Sequence, residues 1–194
     1  MIETAIQTIT PGAQAITTAD GKQHIHLEYD TAADNTEVDN MIQAATRQIE
    51  AFTNRICMLT VFDLHLTGFP SGGIVLPYSP VTAITTVKYY TDATTQATWA
   101  AGNYYYSLYE NPVRIRYVGD TYPTAYGYRN DAVTVRFTAG YTNADAVPKS
   151  IRQAILLMLG DLYTNRSDAV REKFTLWQMA CYGDRVIHDL TENR

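Results

Sequence analysis

The sequence has few cysteines and no cluster of them. Cys57 and Cys181 are the two in the chain, and neither lies at a spacing typical of a metal or redox motif. A disulfide-stabilised secreted domain is therefore not indicated, and both thiols are expected to be free in a reducing cytoplasm. Neither has the run of Arg or His residues that would favour a reactive thiolate.

Long apolar runs and a signal sequence are also missing. The first residues lack the basic segment followed by an apolar run that a secretory signal needs, and no apolar stretch reaches membrane-spanning length. We expect a protein that is made and used in the cytoplasm and does not enter a membrane.

Basic residues are sparse and scattered. Fifteen Lys and Arg stand against twenty Asp and Glu, which gives a net charge of −5. Binding through the phosphate backbone depends on clustered cations that displace counterions. The sequence therefore argues against a protein that wraps nucleic acid, although a surface that lets DNA pass without binding it is compatible with this charge.

Tyrosine, in contrast, is abundant. The chain has 15 Tyr against five Phe and two Trp. Aromatic rings that carry a polar group are typical of half-buried sheet faces and protein interfaces rather than of a dry core. This composition indicates contact surfaces and not catalysis.

No constellation of residues supports an enzyme, a metal or a cofactor. His24 and His26 would share a strand face but lack a third ligand, and His65 and His188 stand apart from them. The Ser-Gly-Gly turn at 71–73 lacks the following Lys and helix of a phosphate-binding loop. No nucleophile with a base and no catalytic carboxylate pair can be assigned, so we predict a protein that is not an enzyme.

Two segments show the three-and-four spacing of an amphipathic helix. The first helix is predicted near 37–55, with Asn35 or Thr36 as its N-cap. The second is predicted near 148–165, with Pro148 in its first turn. The apolar positions of the first are Val38, Met41, Ile42, Ala45, Ile49 and Phe52. Those of the second are Ile151, Ala154, Ile155, Met158, Leu159 and Leu162.

The segment between these helices has the alternation of β-strands. Short, turn-rich connections favour an antiparallel sheet, and residues 92–102 are predicted to form a loop. The predicted strands cover residues 62–66, 84–90, 104–109, 113–117 and 132–137. A further alternating run at 24–29 is interpreted as an arm or edge strand.

The expected fold is therefore α+β, a small helical bundle with an inserted antiparallel β domain. Residues 1–35 form an N-terminal arm, 36–56 and 146–167 form the bundle core, and 57–145 form the β domain. The segment 168–194, with a possible C-terminal helix, holds five large apolar or aromatic side chains. Their burial is worth on the order of 10 kcal/mol before entropy, so we expect the segment to dock on something.

Ordered matches along the chain resemble the head-tail connector (adaptor) proteins of tailed bacteriophages. None of the matching motifs is specific alone, and their shared order carries the resemblance. The C-terminal region matches only loosely, at Tyr182 and Arg185, and the N-terminal arm is longer than usual. The matching segments are residues 42–55, 68–70, 74–77, 80–81, 87–90, 103–105, 133–141, 147–157 and 161–166.

The resemblance implies a structural subunit of the virion neck with no cofactor. It implies a homo-oligomeric ring of about twelve copies with head-to-tail contacts, placed between the portal protein and a downstream tail or neck protein. Double-stranded DNA would pass through the ring without specific binding. The residues predicted to contact partners are Tyr104, Tyr106, Tyr109, Trp177, Tyr182 and Arg185.

A carbohydrate- or surface-binding β-module is the alternative. Exposed tyrosines on an antiparallel sheet are compatible with a stacking platform for sugars. This alternative accounts for the middle of the chain but gives no role to the two long amphipathic helices.

Overall fold

The computed structural model describes residues 4–27, 32–120, 122–165 and 175–186. The fold is mixed α+β, with four α-helices and two antiparallel sheets in the described residues, which confirms the predicted fold class. The chain forms two compact units. Of the described residues, one unit comprises 4–12, 59–120, 122–140 and 186, and the other comprises 13–27, 32–58, 141–165 and 175–185.

The first unit contains the eight strands and the second contains the four helices. The strands are β1 (Thr4–Thr10), β2 (Thr60–Leu66), β3 (Ile74–Val75), β4 (Val81–Tyr90), β5 (Gln96–Trp99), β6 (Tyr104–Tyr105), β7 (Arg114–Tyr117) and β8 (Val133–Ala139). The helices are α1 (Thr18–His24), α2 (Ala32–Thr53), α3 (Lys149–Thr164) and α4 (Leu176–Cys181).

The larger sheet has five strands in the order β1-β2-β8-β4-β5, all antiparallel to their neighbours. Alternate residues of β2 and β8 face the core, because successive side chains in a strand point to opposite faces. Phe62 lies opposite Phe137 and Leu64 lies opposite Val135, and all four are buried. The predicted strands at 62–66, 84–90 and 132–137 are thus confirmed within β2, β4 and β8.

The smaller sheet has the order β3-β7-β6. The strand predicted at 113–117 is confirmed as β7, in which Ile115 and Tyr117 are buried while Arg116 is exposed. Two other predictions were wrong. The strand predicted over 104–109 ends at Tyr105, and the loop predicted over 92–102 contains β5. The tyrosines at 104–106 have the high strand propensity of aromatic residues, but pairing with β7 ends at Tyr105.

The helical unit is built around one apolar core between α2 and α3. Val38, Ile42 and Ile49 of α2 are buried in the same cluster as Ile151 and Ile155 of α3. Both helices were predicted from their periodicity and lie close to the predicted positions. No helix among the described residues is long and apolar enough to cross a membrane.

Helix α1 replaces part of the strand predicted at 24–29. Its N-cap is Thr17, whose hydroxyl accepts the Asp20 backbone N–H at 3.1 Å. Gly21 lies where a methyl group would come 2.8 Å from Ile42 Cδ1, so the absence of a side chain lets α1 pack closely on α2. His24 is the last residue of α1 and residues 25–27 follow it, so the predicted strand was wrong there. An alternation of only six residues does not distinguish a strand from the end of a helix. Residues 28–29 lie outside the described part.

The start of α2 also differs from the prediction. The helix begins at Ala32, so Asn35 and Thr36 lie inside its first turns and not at the N-cap. Asn35 instead accepts a hydrogen bond from the Lys22 ammonium of α1. Asn35 was predicted to cap the start of α2, but its side chain connects α2 to α1.

Candidate interaction surfaces

The predicted contact residues near the C-terminus come together around Phe52 of α2. The Trp177 ring meets Phe52 edge-on at 5.7 Å between centroids, and the Tyr182 ring lies at 6.5 Å. The Arg185 guanidinium stands over the Phe52 ring at 5.2 Å, a cation–π arrangement. Trp177 is half-buried, whereas Tyr182 and Arg185 are exposed.

A second set of contacts fixes this segment to the helical unit. Arg55 donates from Nε to the Asp184 carbonyl at 2.5 Å and from Nη1 to the Tyr141 hydroxyl at 3.0 Å. Ser150 of α3 donates to the Asp184 carboxylate. Residues 182–185 are therefore connected to the end of α2 and the start of α3. Docking of the C-terminal segment was predicted, and Arg55 was not recognised as its anchor.

The outward face of α4 is apolar. Leu176, Met179 and Tyr182 follow one another at intervals of three residues and keep 72%, 62% and 56% of their surface exposed. On the inward side Cys181 is buried, and its thiol donates to the Trp177 carbonyl at 3.2 Å. The three-residue spacing was visible in the sequence, but nothing in it showed which side of α4 would face the core.

In the β unit, the tyrosines predicted as contacts divide between a core and a surface. Tyr104 is buried, with its ring 5.2 Å from Trp99 and 6.5 Å from Tyr106. Phe69 is at the centre of this aromatic cluster, 5.1 Å from Trp99 and 6.1 Å from Tyr117. Most of the Tyr104 ring is therefore used in packing, and the buried cluster ties the strands β4, β5, β6 and β7 together.

Tyr106 and Tyr109 lie at the solvent side of the same region. Tyr109 is fully exposed, and its neighbours Tyr105 and Leu108 are largely exposed. A large apolar side chain in water contributes no burial energy to the isolated subunit. These residues form a second candidate contact surface, of which Tyr105 and Leu108 were not singled out from the sequence.

The buried titratable groups have the character of structural residues. Burial raises the pKa of the Cys57 thiol far above its usual range, and the Glu50 carboxylate nearby adds to this effect. Burial likewise raises the pKa of the Tyr117 phenol, whose hydroxyl donates to the Pro70 carbonyl at 2.7 Å. A thiol and a phenol held in their neutral forms are poor nucleophiles.

The described residues contain no group of three or more His, Cys, Asp or Glu side chains arranged to hold a metal ion. His24 ends α1 and His26 follows it with a left-handed backbone, so the two do not share a strand face. His65 is half-buried, with its Nδ1 atom 3.1 Å from the Thr134 hydroxyl, and it is far along the chain from the other two histidines. His188 lies outside the described residues.

The described residues thus form a small α+β protein with apolar and aromatic side chains exposed on both units. No family model matches the chain, and no curated protein matches it in sequence. Solved structures do match. A chain in the neck of an empty GTA particle, computed with C6 symmetry, is similar with a TM-score of 0.81 and 24% identity over 96% of this chain and 97% of that one.

Two further particles contain similar chains. In the virion of a native gene transfer agent (GTA) particle the TM-score is 0.80 at 22% identity, covering 97% of this chain and 99% of that one. In the neck of a native GTA particle, computed with C12 symmetry, it is 0.75 at 22% identity, covering 96% and 97%. The chain therefore has the fold of these particle proteins, in agreement with the resemblance to head-tail connectors.

Proposed function

We propose that the protein is a structural subunit of the neck of a tailed-phage-like particle, with no catalytic activity. The observation that supports this proposal most is the likeness to GTA chains over 96% of the sequence, which includes both the helical and the β unit. A β-module that binds carbohydrate would explain only one of them. The ordered sequence matches to head-tail connectors lead independently to the same role.

In this proposal the subunits form a ring of about twelve copies between the portal and a tail or neck protein. The C6 and C12 symmetries of the GTA necks support a multi-subunit ring. A cyclic ring needs two different, complementary surfaces on each subunit, because its contacts run head to tail. Exposed apolar and aromatic side chains on both units are available for such contacts.

We assign the partner contacts to two surfaces. On the helical unit they are the outward face of α4, Leu176, Met179 and Tyr182, together with Arg185. On the β unit they are Tyr106, Leu108 and Tyr109. Aromatic residues, Met and Arg are enriched in the centres of protein interfaces. Trp177 is half-buried and packs on Phe52, so it holds α4 against α2.

The genome would cross the ring without adhering to it. At −5 per chain, a ring of about twelve carries a charge of about −60, which repels the DNA phosphates where acidic side chains line the channel. Saturable binding of a double-stranded DNA fragment at physiological salt, followed by fluorescence anisotropy, would contradict this part of the proposal.

The mass of the purified protein, measured by light scattering alone and with the portal ring of the same particle, tests the main proposal. The expected result is a complex with the portal ring whose mass corresponds to about twelve bound subunits. A chain that stays monomeric and ignores the portal would contradict it and favour the carbohydrate-binding alternative.

Variants at the α4 surface test the assignment of contacts. Leu176→Asp combined with Met179→Asp should abolish the complex, because it places two charges in the proposed apolar contact. Both side chains are exposed in the subunit, so the fold should stay intact. Gln43→Asp, at an exposed position of α2, is the matched control and should leave assembly unchanged. Equal assembly of both variants would remove the α4 face from the interface.

A further inference from the structure

The five-stranded sheet has an unusual outer edge at β1. The strand pairs with β2 on one side, and among the described residues no strand lies on its other side. Residues 5–10 are all exposed, including Ile6 and Ile9. Its sequence, TAIQTIT, has no charge, proline or glycine. Edge strands are normally protected by charged side chains, proline or β-bulges. The pairing of β1 with β2 is irregular between Thr8 and Thr10, whereas Thr4–Thr8 pair in regular register and leave an edge that is a template for another strand.

The opposite edge of the same sheet is β5, which is also uncharged. Its sequence is QATW, and in the described part of the chain it pairs only with β4. Charged residues make up 18% of the whole chain, yet neither edge strand contains one. Because each subunit carries a net charge of −5, copies repel one another except where uncharged surfaces meet.

The directions of the two edge strands allow one subunit to continue the sheet of the next. Four successive antiparallel pairings lead from β1 to β5, so the two edge strands run in the same direction. One row of the sheet passes through Ala5, His65, Thr134, Lys88 and Thr98, which places the first and last of these side chains on the same face. The next copy can therefore continue the sheet without turning it over.

We propose that β1 of one subunit pairs in parallel with the outer edge of β5 of the next subunit. This inference rests on the proposed ring. The occupant of each edge is a second copy of this chain, because one type of contact then satisfies both edges of every subunit. Such a contact is heterologous, and a heterologous contact closes into a ring or extends into a filament. Backbone hydrogen bonds provide the affinity, as in other cases of strand addition.

Cysteine crosslinking in the assembled ring tests this contact. The double variant Gln7→Cys/Thr98→Cys places one thiol on each edge, at exposed positions on the same sheet face. Both native cysteines are buried, so a flexible bismaleimide applied to the folded ring reacts at the new thiols. We expect a ladder of covalent species that extends beyond the dimer, and its complete loss in each single variant. Gln43→Cys/Thr98→Cys is the matched control and should give no ladder.

The outcomes separate this inference from the proposed function. A ring of unchanged mass that gives no ladder overturns the strand pairing and leaves the ring proposal in place. Covalent dimers from Gln7→Cys alone would show that β1 pairs with β1, which also overturns it. Failure to form any ring, with or without the portal, overturns both proposals.

A charge on the edge gives a second measurement. Gln7→Lys should prevent ring formation while the melting temperature of the subunit stays unchanged, because the side chain is exposed in the monomer. Normal assembly of this variant contradicts the pairing of β1 with a neighbouring strand.

Discussion

Arg136 of β8 holds Asp63 of β2 with two parallel hydrogen bonds, Nε to Oδ1 at 2.8 Å and Nη2 to Oδ2 at 2.6 Å. The two residues are direct cross-strand partners. The Asp63 side chain is only 8% exposed, whereas that of Arg136 is 45% exposed. An acidic side chain on the sheet face opposite to that of Phe62 and Leu64 is therefore buried beneath its cross-strand partner.

Removal of Arg136 should destabilise the protein, since it leaves the carboxylate buried without a partner. We expect Arg136→Met to lower the free energy of unfolding by about 2 kcal/mol, less than for a fully buried pair because Arg136 is half-exposed. Urea denaturation measures this. Arg116→Met is the control, because Arg116 and Glu110 are both exposed and their ion pair is worth about 0.5 kcal/mol. Equal effects of the two substitutions would contradict a special role for Asp63.

Gly73 should not tolerate a side chain. Its φ of +89° is unfavourable for other residues, and a Cβ there would lie 2.4 Å from the Ile115 carbonyl oxygen in the neighbouring strand. We expect Gly73→Ala to destabilise the protein by about 2 kcal/mol or more. The adjacent Gly72→Ala is the control, since its nearest atom would be Arg114 Nη1 at 3.6 Å. The melting temperatures of both variants, measured by thermal unfolding, test this, and Gly73→Ala should melt at the lower temperature. Similar melting temperatures would contradict the prediction.

Arg55 should control the docking of the C-terminal segment. Arg55→Ala removes the hydrogen bonds to the Asp184 carbonyl and the Tyr141 hydroxyl, so residues 176–185 should exchange their amide hydrogens faster. Hydrogen exchange with mass spectrometry measures this change peptide by peptide. Arg152→Ala is the matched control, because it removes an arginine of the same unit whose guanidinium forms an ion pair at 3.4 Å with the exposed Asp145. Unchanged exchange in Arg55→Ala would show that apolar contacts alone hold the segment.

Asp92 should make part of the stability dependent on pH. Its Oδ1 accepts the backbone N–H groups of Thr94 and Thr95, both at 2.8 Å, and these bonds lower its pKa to about 2. The folded pKa is below the unfolded value of about 4, so the stabilising contribution is present above pH 4 and disappears as the pH falls towards 2.

The measurement is the free energy of unfolding of the natural protein and of Asp92→Ala between pH 7 and pH 2. We expect the difference between them to shrink below pH 4. A difference that stays constant across this range would show that the carboxylate charge is not responsible. An NMR titration of the Asp92 carboxyl gives its midpoint directly.

The helices α2 and α3 and the strands β2 and β8 could be predicted because their burial is periodic along the chain. Ile42, Ile49, Ile151 and Ile155 recur at helical spacing, and each is buried. The contact residues that the excess of tyrosine and the apolar C-terminal segment suggest stay a prediction. The local sequence is informative for these elements because each one buries one face, and that requirement is the same for any packing partner.

The tertiary structure decided what the sequence left open. Thr4–Thr10 and Gln96–Trp99 are strands because β2 and β4 offer them an edge, and their own side chains show little burial pattern. Tyr104 is part of the aromatic core and Tyr109 is in solvent, although the two stand in the same tyrosine-rich run. The sequence by itself determined the periodic core elements, while the edge strands and the burial or exposure of each tyrosine depended on long-range pairing, which no local pattern contains.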